Sequence, residues 1–156
     1  MIKTNAIRLL TAAKLSFDIF EYEFDENDLS GLHAADYLQI PYSTFFKTLV
    51  LKGSKNGIFV CCIPVDKELD LKKAAIAFKD KSCDMIHVKE LINIAGYMRG
   101  ACTPVGMKKT YPVFFDESIN LLDKVYLSAG ARGLAMKISP NEIVNYVKGT
   151  ICSLTK

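Results

Sequence analysis

The sequence has no tryptophan, only two histidines, and five cysteines in which no C-x-x-C spacing occurs. Two histidines exclude a multi-histidine metal centre, and a Ser-His-Asp or Cys-His relay would have to use His33 or His87. The odd number of cysteines argues against a disulfide framework, and the missing C-x-x-C spacing argues against a zinc site. We therefore expect reduced thiols, as in a cytoplasm, with no metal and no cofactor.

Long apolar runs and leader signals are also missing. No stretch of about 18 uncharged apolar residues occurs, so we expect no membrane-spanning segment. Arg8 and Lys14 precede any long apolar stretch, unlike in a secretory signal, and we expect a cytoplasmic protein without a membrane partner. The sequence also lacks the G-x-G-x-x-G, Walker, H-E-x-x-H and G-x-S-x-G motifs of common nucleotide, metalloprotease and hydrolase sites.

The excess of charge of either sign is small. The chain carries 20 basic and 17 acidic residues, which gives a formal net charge of +3. Proteins that bind duplex DNA or coat RNA are usually much more basic, so we expect no DNA partner. This small excess of positive charge is compatible with a local basic patch around a pocket that binds one end of a nucleic acid.

The 156 residues, 50% of them hydrophobic and 24% charged, suit one folded domain that spans residues 1–156. Strand alternation and helical spacing follow one another without repeats or linkers. We predict a mixed α/β domain with about six or seven strands and five helices. The predicted strands are 17–22, 45–52, 58–63, 83–87, 113–115, 124–127 and 134–138, and the helices begin near residues 4, 31, 70, 89 and 140.

Capping and turn residues support several of these elements. Thr4 and Asp70 are typical N-caps, and Ser139 precedes a proline and is followed three residues later by a glutamate, which predicts a capped helix start. Gly96 suits the end of the helix before it. Asn56-Gly57 lies between two apolar runs and predicts a hairpin turn, the most secure element of the sequence.

Lys47 interrupts an apolar strand and lies on the same predicted face as Leu49 and Leu51. An unpaired ammonium is costly to bury, so this side chain must reach solvent or meet an anion. One interpretation is an ordinary lysine that protects a strand edge. The other is a cation at the floor of a pocket, holding a carboxylate, a phosphate or a polarised ester.

Two small-residue segments could present main-chain amides to a ligand. Gly100-Ala101-Cys102-Thr103-Pro104 predicts a rigid loop, and free amides in such a loop stabilise negative charge during acyl transfer. Ser128-Ala129-Gly130-Ala131-Arg132-Gly133 predicts a turn after a strand, with a hydroxyl and a guanidinium suited to phosphate. Taken alone, each segment is better explained as an ordinary loop or turn.

The cysteines and lysines are weaker candidates. Cys61 and Cys62 are consecutive in a strand and should point to opposite faces, which favours core packing. Cys102 has no adjacent basic partner to lower its pKa, which disfavours a role as nucleophile. Two basic runs predict either a solvated face or phosphate contacts at the pocket rim. They consist of Lys67, Lys72, Lys73, Lys79, Lys81, Lys108 and Lys109.

Six segments in order resemble the YbaK/EbsC family, the free-standing Cys-tRNA(Pro) deacylases, which are relatives of the editing domain of prolyl-tRNA synthetase. The segments are K-T-N-A (3–6), E-Y (21–22), F-K-T-L (46–49), I-P-V-D-K-E-L-D-L-K-K-A-A (63–75), G-Y-M-R-G-A-C-T-P-V-G-M-K-K (96–109) and S-A-G-A-R-G-L (128–134). Each is modest alone, but their order and spacing cover essentially the whole chain.

The resemblance implies a single domain with a curved, partly barrel-like mixed sheet flanked by helices. It also implies an activity, the removal of cysteine from mischarged Cys-tRNA(Pro) and also from Cys-tRNA(Cys). Cysteine and proline have similar volumes, so one binding pocket separates them poorly and a second site is needed. Mischarged tRNA is the implied partner, and prolyl-tRNA synthetase is a candidate second partner.

The resemblance further implies roles for individual residues. In the family the substrate thiol attacks its own ester carbonyl, so the protein supplies positioning and charge stabilisation rather than a nucleophile. Lys47 and Gly100 match the functional lysine and the G-x-x-x-P loop that contacts the carbonyl, and we assign them to catalysis. The residues assigned to substrate binding are Tyr22, Phe46, Thr48, Arg99, Ala101, Cys102, Pro104, Ser128, Gly130 and Arg132.

Two alternatives remain open at this point. The same chemistry could clear another small residue such as alanine, because the sequence does not fix the pocket volume. The fold could also serve as a binding module for tRNA or a synthetase without turnover.

Overall fold

The structure, a computed structural model, describes residues 3–156. Met1 and Ile2, which belong to the predicted domain and to the segment inspected for a leader, lie outside the described residues. No helix within residues 3–156 has the length and apolar character needed to cross a membrane.

Five α-helices and eight strands occur in the described range, joined in places by short 3-10 helices. The helices are α1 (Asn5–Ala12), α2 (Gly31–Leu38), α3 (Leu71–Ala77), α4 (Leu91–Ala95) and α5 (Pro140–Tyr146). The strands are β1 (Phe17–Glu21), β2 (Phe46–Gly53), β3 (Gly57–Pro64), β4 (Cys83–Met85), β5 (Val113–Asp116), β6 (Val125–Ser128), β7 (Leu134–Ile138) and β8 (Thr150–Cys152). The 3-10 helices are Tyr42–Thr44, Val88–Glu90 and Glu117–Leu121.

The larger sheet has five strands in the order β4-β2-β3-β5-β8. β2 and β3 form the predicted hairpin, whose last pair is Gly53 with Gly57. β5 and β8 continue the sheet in parallel orientation on the far side of β3. β4 is antiparallel to β2 but pairs only with Leu51–Gly53. β4 therefore leaves the first half of β2 unpaired on that edge.

The smaller sheet has three antiparallel strands in the order β1-β7-β6. A single parallel bridge between Phe45 and Tyr126 joins it to the start of β2. β6 therefore approaches β2 at the end opposite to β4. The space between these two neighbours is where the candidate site lies.

Apolar residues pack on both faces of the larger sheet. One face packs against α1, α5 and the smaller sheet, and the other packs mainly against α3. Cys62 belongs to the first core and Cys61 to the second, which confirms that the two consecutive cysteines point to opposite faces. Both thiols are fully buried, as expected of packing residues.

The predicted helix caps are mostly confirmed. Thr4 accepts a hydrogen bond from the Ile7 amide at 3.1 Å and donates one to the Ala129 carbonyl at 2.6 Å, so it also ties α1 to the turn after β6. Asp70 caps α3, as predicted. The Ser139 prediction is partly wrong, since its side chain makes no capping bond and only its carbonyl, 3.1 Å from the Ile143 amide, holds the first turn.

The mixed α/β class and the single domain are confirmed, whereas the arrangement of the sheet differs in detail. Eight strands form two sheets within the described residues, instead of about six or seven in one curved sheet, and they do not close a barrel. The additional strand, β8, has only three residues, too few for an alternation pattern to be recognised. The two sheets meet through one bridge, which is a tertiary contact without a local signal.

Candidate active site

A cavity of about 540 Å³ opens beside the first half of β2, on the edge that β4 leaves unpaired. Its walls come from β2, the end of β1, the start of α2, the segment between β4 and α4, the 99–102 loop and the end of β6. The lining residues are Tyr22, Leu29, Ser30, Gly31, Leu32, Ala34, Phe45, Phe46, Lys47, Thr48, Leu49, Val50, Val65, Met85, Ile86, His87, Val88, Leu91, Arg99, Gly100, Cys102 and Ser128.

Lys47 lines this cavity from β2 and is half-buried. Burial lowers the pKa of its ammonium, and the charges of Glu68 and Asp66 counteract only part of that effect. In the described part of the chain no carboxylate lies within ion-pair distance of Lys47. A cation that is partly desolvated and unpaired is suited to hold an anionic or polarised group of a ligand.

Phe46 and Thr48 lie on either side of Lys47 and form part of the cavity floor. The Phe46 ring is almost completely buried, which fixes this part of β2 against the core. The Thr48 hydroxyl lies 3.7 Å from the Cys62 sulfur on the neighbouring strand. This contact keeps the hydroxyl beside the sheet and leaves its remaining hydrogen-bonding capacity toward the cavity.

The 99–102 loop forms one wall of the cavity. Gly100 has a φ of +87°, and a methyl group built on it would lie 3.2 Å from the Leu29 side chain. The Ala101 amide donates to the Met98 carbonyl at 3.0 Å. The amides of Gly100 and Cys102 make no main-chain hydrogen bond within residues 3–156 and lie on residues that line the cavity. Such amides can stabilise a developing negative charge.

The turn after β6 holds this loop in place. Ser128 donates from its hydroxyl to the Ala101 carbonyl at 2.9 Å and accepts from the Gly130 amide at 3.2 Å. Arg132 donates from Nε to the Arg99 carbonyl at 2.9 Å. The turn therefore holds the loop through two hydrogen bonds, one from Ser128 and one from Arg132. The polar side chains of the turn thus fix the position of the loop.

Tyr22 closes the cavity at the end of β1. Its amide donates to the Gly133 carbonyl at 2.9 Å, which joins the strand end to the turn after β6. Burial raises the pKa of the Tyr22 phenol, so the group stays neutral at physiological pH. A neutral phenol can donate a hydrogen bond to a ligand oxygen.

Cys102 also lines the cavity, but its thiol is poorly suited to nucleophilic attack. Burial raises the pKa of this thiol to about 12, because the thiolate is disfavoured in an apolar surrounding. The buried Cys62 thiol lies on the same side of the sheet, and burial raises its pKa to about 12 as well. Attack by an enzyme thiol is therefore disfavoured at neutral pH.

Eight of the twelve predicted site residues line one cavity, although they come from distant parts of the sequence. These eight are Tyr22, Phe46, Lys47, Thr48, Arg99, Gly100, Cys102 and Ser128. The other four lie outside its lining. Ala101 is buried, Gly130 and Arg132 support the loop from behind, and Pro104 lines a separate hollow of about 350 Å³.

The sequence reasoning missed the apolar part of the lining. Leu29 and Leu32 lie just before α2 and in its first turn, and Met85, Val88 and Leu91 lie between the last residue of β4 and the first residue of α4. None of these residues belongs to a motif, and single apolar residues in short segments carry no functional signal. The sequence also does not show that these two parts of the chain meet.

The two basic runs do not contribute to the cavity. None of the seven lysines named above appears in its lining, and Lys73 donates to the Thr155 carbonyl at 2.7 Å. Lys109 lines the separate hollow that Pro104 shares. The interpretation as a solvated face fits this arrangement better than phosphate contacts at the rim of this cavity.

Comparisons with known proteins place the chain in a family. The model of the aminoacyl-tRNA editing domain matches residues 31–146. The chain is 38% identical over 153 residues to the "Putative Cys-tRNA(Pro)/Cys-tRNA(Cys) deacylase EbsC" of Enterococcus faecalis, covering 98% of this chain and 93% of that protein. It is also 29% identical over 100 residues to a proline–tRNA ligase of Fervidobacterium nodosum, a match to 56% of this chain and 17% of the ligase.

Solved structures show the same fold. The crystal structure of a "putative trans-editing enzyme for prolyl tRNA synthetase" has a TM-score of 0.82 and 20% identity, covering 100% of this chain and 99% of that one. The crystal structure of a hypothetical protein has a TM-score of 0.87 and 20% identity, covering 96% and 97%. The family model, the curated relative and the shared fold agree, and the chain belongs to the aminoacyl-tRNA editing domain family.

Proposed function

We propose that this protein is a free-standing aminoacyl-tRNA deacylase that removes cysteine from Cys-tRNA(Pro), and also from Cys-tRNA(Cys). The observation that carries the proposal is that the unpaired Lys47 and the loop amides of Gly100 and Cys102 line one cavity. The curated relative of 38% identity bears the name of a deacylase for these two substrates, which supports the same specificity here.

The proposed reaction needs no nucleophile from the protein. The cysteine thiol of the substrate attacks its own ester carbonyl, a carbon–sulfur bond forms, and the bond to the ribose oxygen breaks. The thiol proton passes to solvent and the departing ribose oxygen takes up a proton, so the products are free tRNA and a cysteine thiolactone that water opens. The high pKa of the Cys102 thiol supports this division of roles, because the enzyme thiol stays protonated.

In this reaction the protein would bind and orient the substrate. Lys47 would hold the polarised ester or the terminal nucleotide, and the amides at Gly100 and Cys102 would face the carbonyl oxygen as negative charge develops. Tyr22, Phe46, Thr48 and Ser128 would surround the aminoacyl group. These groups fix one conformation of the ester, which raises the effective concentration of the thiol at the carbonyl.

The proposal extends to place and partner. A deacylase for charged tRNA works where synthetases do, so we propose a cytoplasmic location. The small net charge of +3 favours weak intrinsic affinity for tRNA, and we propose prolyl-tRNA synthetase as the partner that delivers the mischarged substrate.

A panel of charged tRNAs tests the function directly. The purified protein should release cysteine from Cys-tRNA(Pro) and release serine from Ser-tRNA(Pro) far more slowly, because a hydroxyl cannot replace the thiol in the cyclisation. Adding prolyl-tRNA synthetase should accelerate the release. Equal rates for serine and cysteine would contradict the thiol mechanism, faster release of alanine would indicate another substrate, and no release at all would indicate a binding module.

A further inference from the structure

The mouth of the cavity carries apolar side chains that no step of the proposed reaction uses. Met85 is 45% exposed, Val88 is 61% exposed and Leu32 is 37% exposed, and all three line the cavity. A single exposed apolar residue is ordinary, but several around one opening form a patch that usually meets a ligand. We call Met85 and Val88, which come from one short segment, the apolar lip.

The apolar lip lies at a distance from the polar part of the cavity. The Ile86 amide donates to the Val50 carbonyl at 3.2 Å, which fixes the lip beside the middle of β2. Lys47 lies three residues earlier on the same strand, about 10 Å away at the rise of a β-strand. The cavity thus offers a polar end for an ester and an apolar end one nucleoside length away.

The edge of β2 between these two ends presents unpaired main-chain groups. The Val50 carbonyl points toward the Ile86 amide, and alternation places the N–H and C=O of Thr48 on the same side. On this edge β4 pairs only with Leu51–Gly53 and the bridge to β6 involves Phe45, so within residues 3–156 these two groups of Thr48 take part in no strand pairing there. A donor and an acceptor side by side suit the edge of a planar heterocycle that carries the complementary pair.

We propose that the apolar lip is the subsite for the terminal nucleobase of the charged tRNA, an adenine that lies against Met85 and Val88. This proposal rests on the proposed function, since it places the ester of the same nucleotide at Lys47. A cavity of about 540 Å³ is far larger than a cysteinyl side chain and falls in the range of sites for nucleoside-sized ligands. Apolar contact with the face of a base does not depend on which base is present. Such a contact is suited to the terminal nucleotide, which all tRNAs share.

Two substrates test the subsite, the cysteinyl ester of adenosine and cysteine methyl ester. Both carry the ester, but only the first carries the base. Val88→Asp and Met85→Asp should lower kcat/KM for the cysteinyl ester of adenosine about tenfold, mainly through KM, because a carboxylate must be desolvated under the base. Both variants should cleave cysteine methyl ester, which lacks a base, at the wild-type rate. Ile76→Asp is the matched control, since Ile76 is 75% exposed on α3 and outside the cavity.

Equal losses with both esters, or no loss with the adenosine ester, would overturn the subsite. Titration with adenosine gives a test that does not depend on turnover, because the Met85 ε-methyl NMR signal should shift with adenosine and hardly with ribose. An unshifted signal, or an equal shift with ribose, would also overturn it. If the wild-type protein cleaves neither ester but adenosine still shifts Met85, then the proposed function fails and the nucleobase subsite stands.

Discussion

The hydroxyl of Ser128 donates a hydrogen bond to the carbonyl of Ala101 at 2.9 Å and accepts one from the amide of Gly130. One side chain therefore joins the turn after β6 to the loop whose amides line the cavity. The loop has few other attachments, the Arg132 contact to Arg99 among them. The position of the loop amides thus depends on a residue 27 positions away in the sequence.

Ser128→Ala should loosen the loop and also remove a hydroxyl that lines the cavity, while it leaves Lys47 and the loop amides in the chain. We expect kcat/KM for Cys-tRNA(Pro) to fall about tenfold, with a loss of unfolding free energy of about 1 kcal/mol for the missing hydrogen bonds. Steady-state deacylation and urea unfolding measure the two effects. Ser118→Ala removes a hydroxyl that bonds locally to Asp116, and neither residue lines the cavity, so this variant should leave activity unchanged.

Removal of the Lys47 ammonium should abolish most of the activity. Lys47→Met keeps the aliphatic length but cannot hold a polarised ester, and we expect kcat/KM to fall about 100-fold, in the range for loss of one electrostatic contact to a transition state. Lys52→Met is the matched control, because Lys52 is an exposed lysine on the same strand and outside the cavity. Similar losses in both variants would contradict a specific role for Lys47.

The lowered pKa of Lys47 also predicts how its contribution to stability depends on pH. The folded state releases this proton at a lower pH than the unfolded state, whose pKa lies near 10.5. The unfolded state therefore binds more protons in that window, and the unfolding free energy contributed by Lys47 rises as the pH rises through it. At pH 7 the charged amine is present in both states and the folded state bears the cost of burying it.

Lys47→Met should consequently be more thermostable than the wild type at pH 7 and should lose that advantage as the pH approaches 10.5. Thermal unfolding of both proteins across this range measures the difference, in which the other titrating groups cancel. A Tm for Lys47→Met below that of the wild type at pH 7 would show that Lys47 is stabilised by its neighbours instead.

Cys102→Ala should keep most of the activity, because the enzyme thiol has no role in the proposed bond cleavage. Its pKa of about 12 also predicts slow alkylation by iodoacetamide at pH 7.5, far slower than that of a free thiol such as glutathione. Mass spectrometry of the modified peptide follows the alkylation. Loss of turnover in Cys102→Ala with unchanged binding of uncharged tRNA would assign the attack to the enzyme.

The sequence predicts the fold class and the family because both depend on patterns within short segments. The hairpin around Asn56-Gly57 and the start of α2 follow from local backbone chemistry, and the family resemblance is confirmed by the comparisons. The residues of the apolar lip could not be predicted, because their role depends on where β4 stops pairing with β2. That end point is set by tertiary packing and not by a local pattern.

The same limit applies to the segments of Lys47 and Gly100, which we propose for catalysis. Lys47 and Gly100 were named from separate motifs, and their presence in one cavity depends on how the loop is held by the turn after β6. The sequence shows small residues in segments 100–104 and 128–133 but gives no indication of the bond between Ser128 and Ala101. Pro104, named from the same motif as Gly100, lines a different hollow because the loop turns away from the cavity after Cys102.

Gly100→Ala and Gly57→Ala form a matched pair that separates backbone strain from crowding at the site. Both glycines have a positive φ, +87° and +86°, so alanine costs about 1–2 kcal/mol of strain at either position. A methyl group at Gly57 meets no atom within 4 Å, whereas one at Gly100 lies 3.2 Å from Leu29 beside the cavity. We expect similar losses of unfolding free energy in the two variants, measured in urea, but a loss of deacylation only in Gly100→Ala. Wild-type kcat/KM in a folded Gly100→Ala variant would remove the loop from the proposed mechanism, since its amides could not then depend on this backbone conformation.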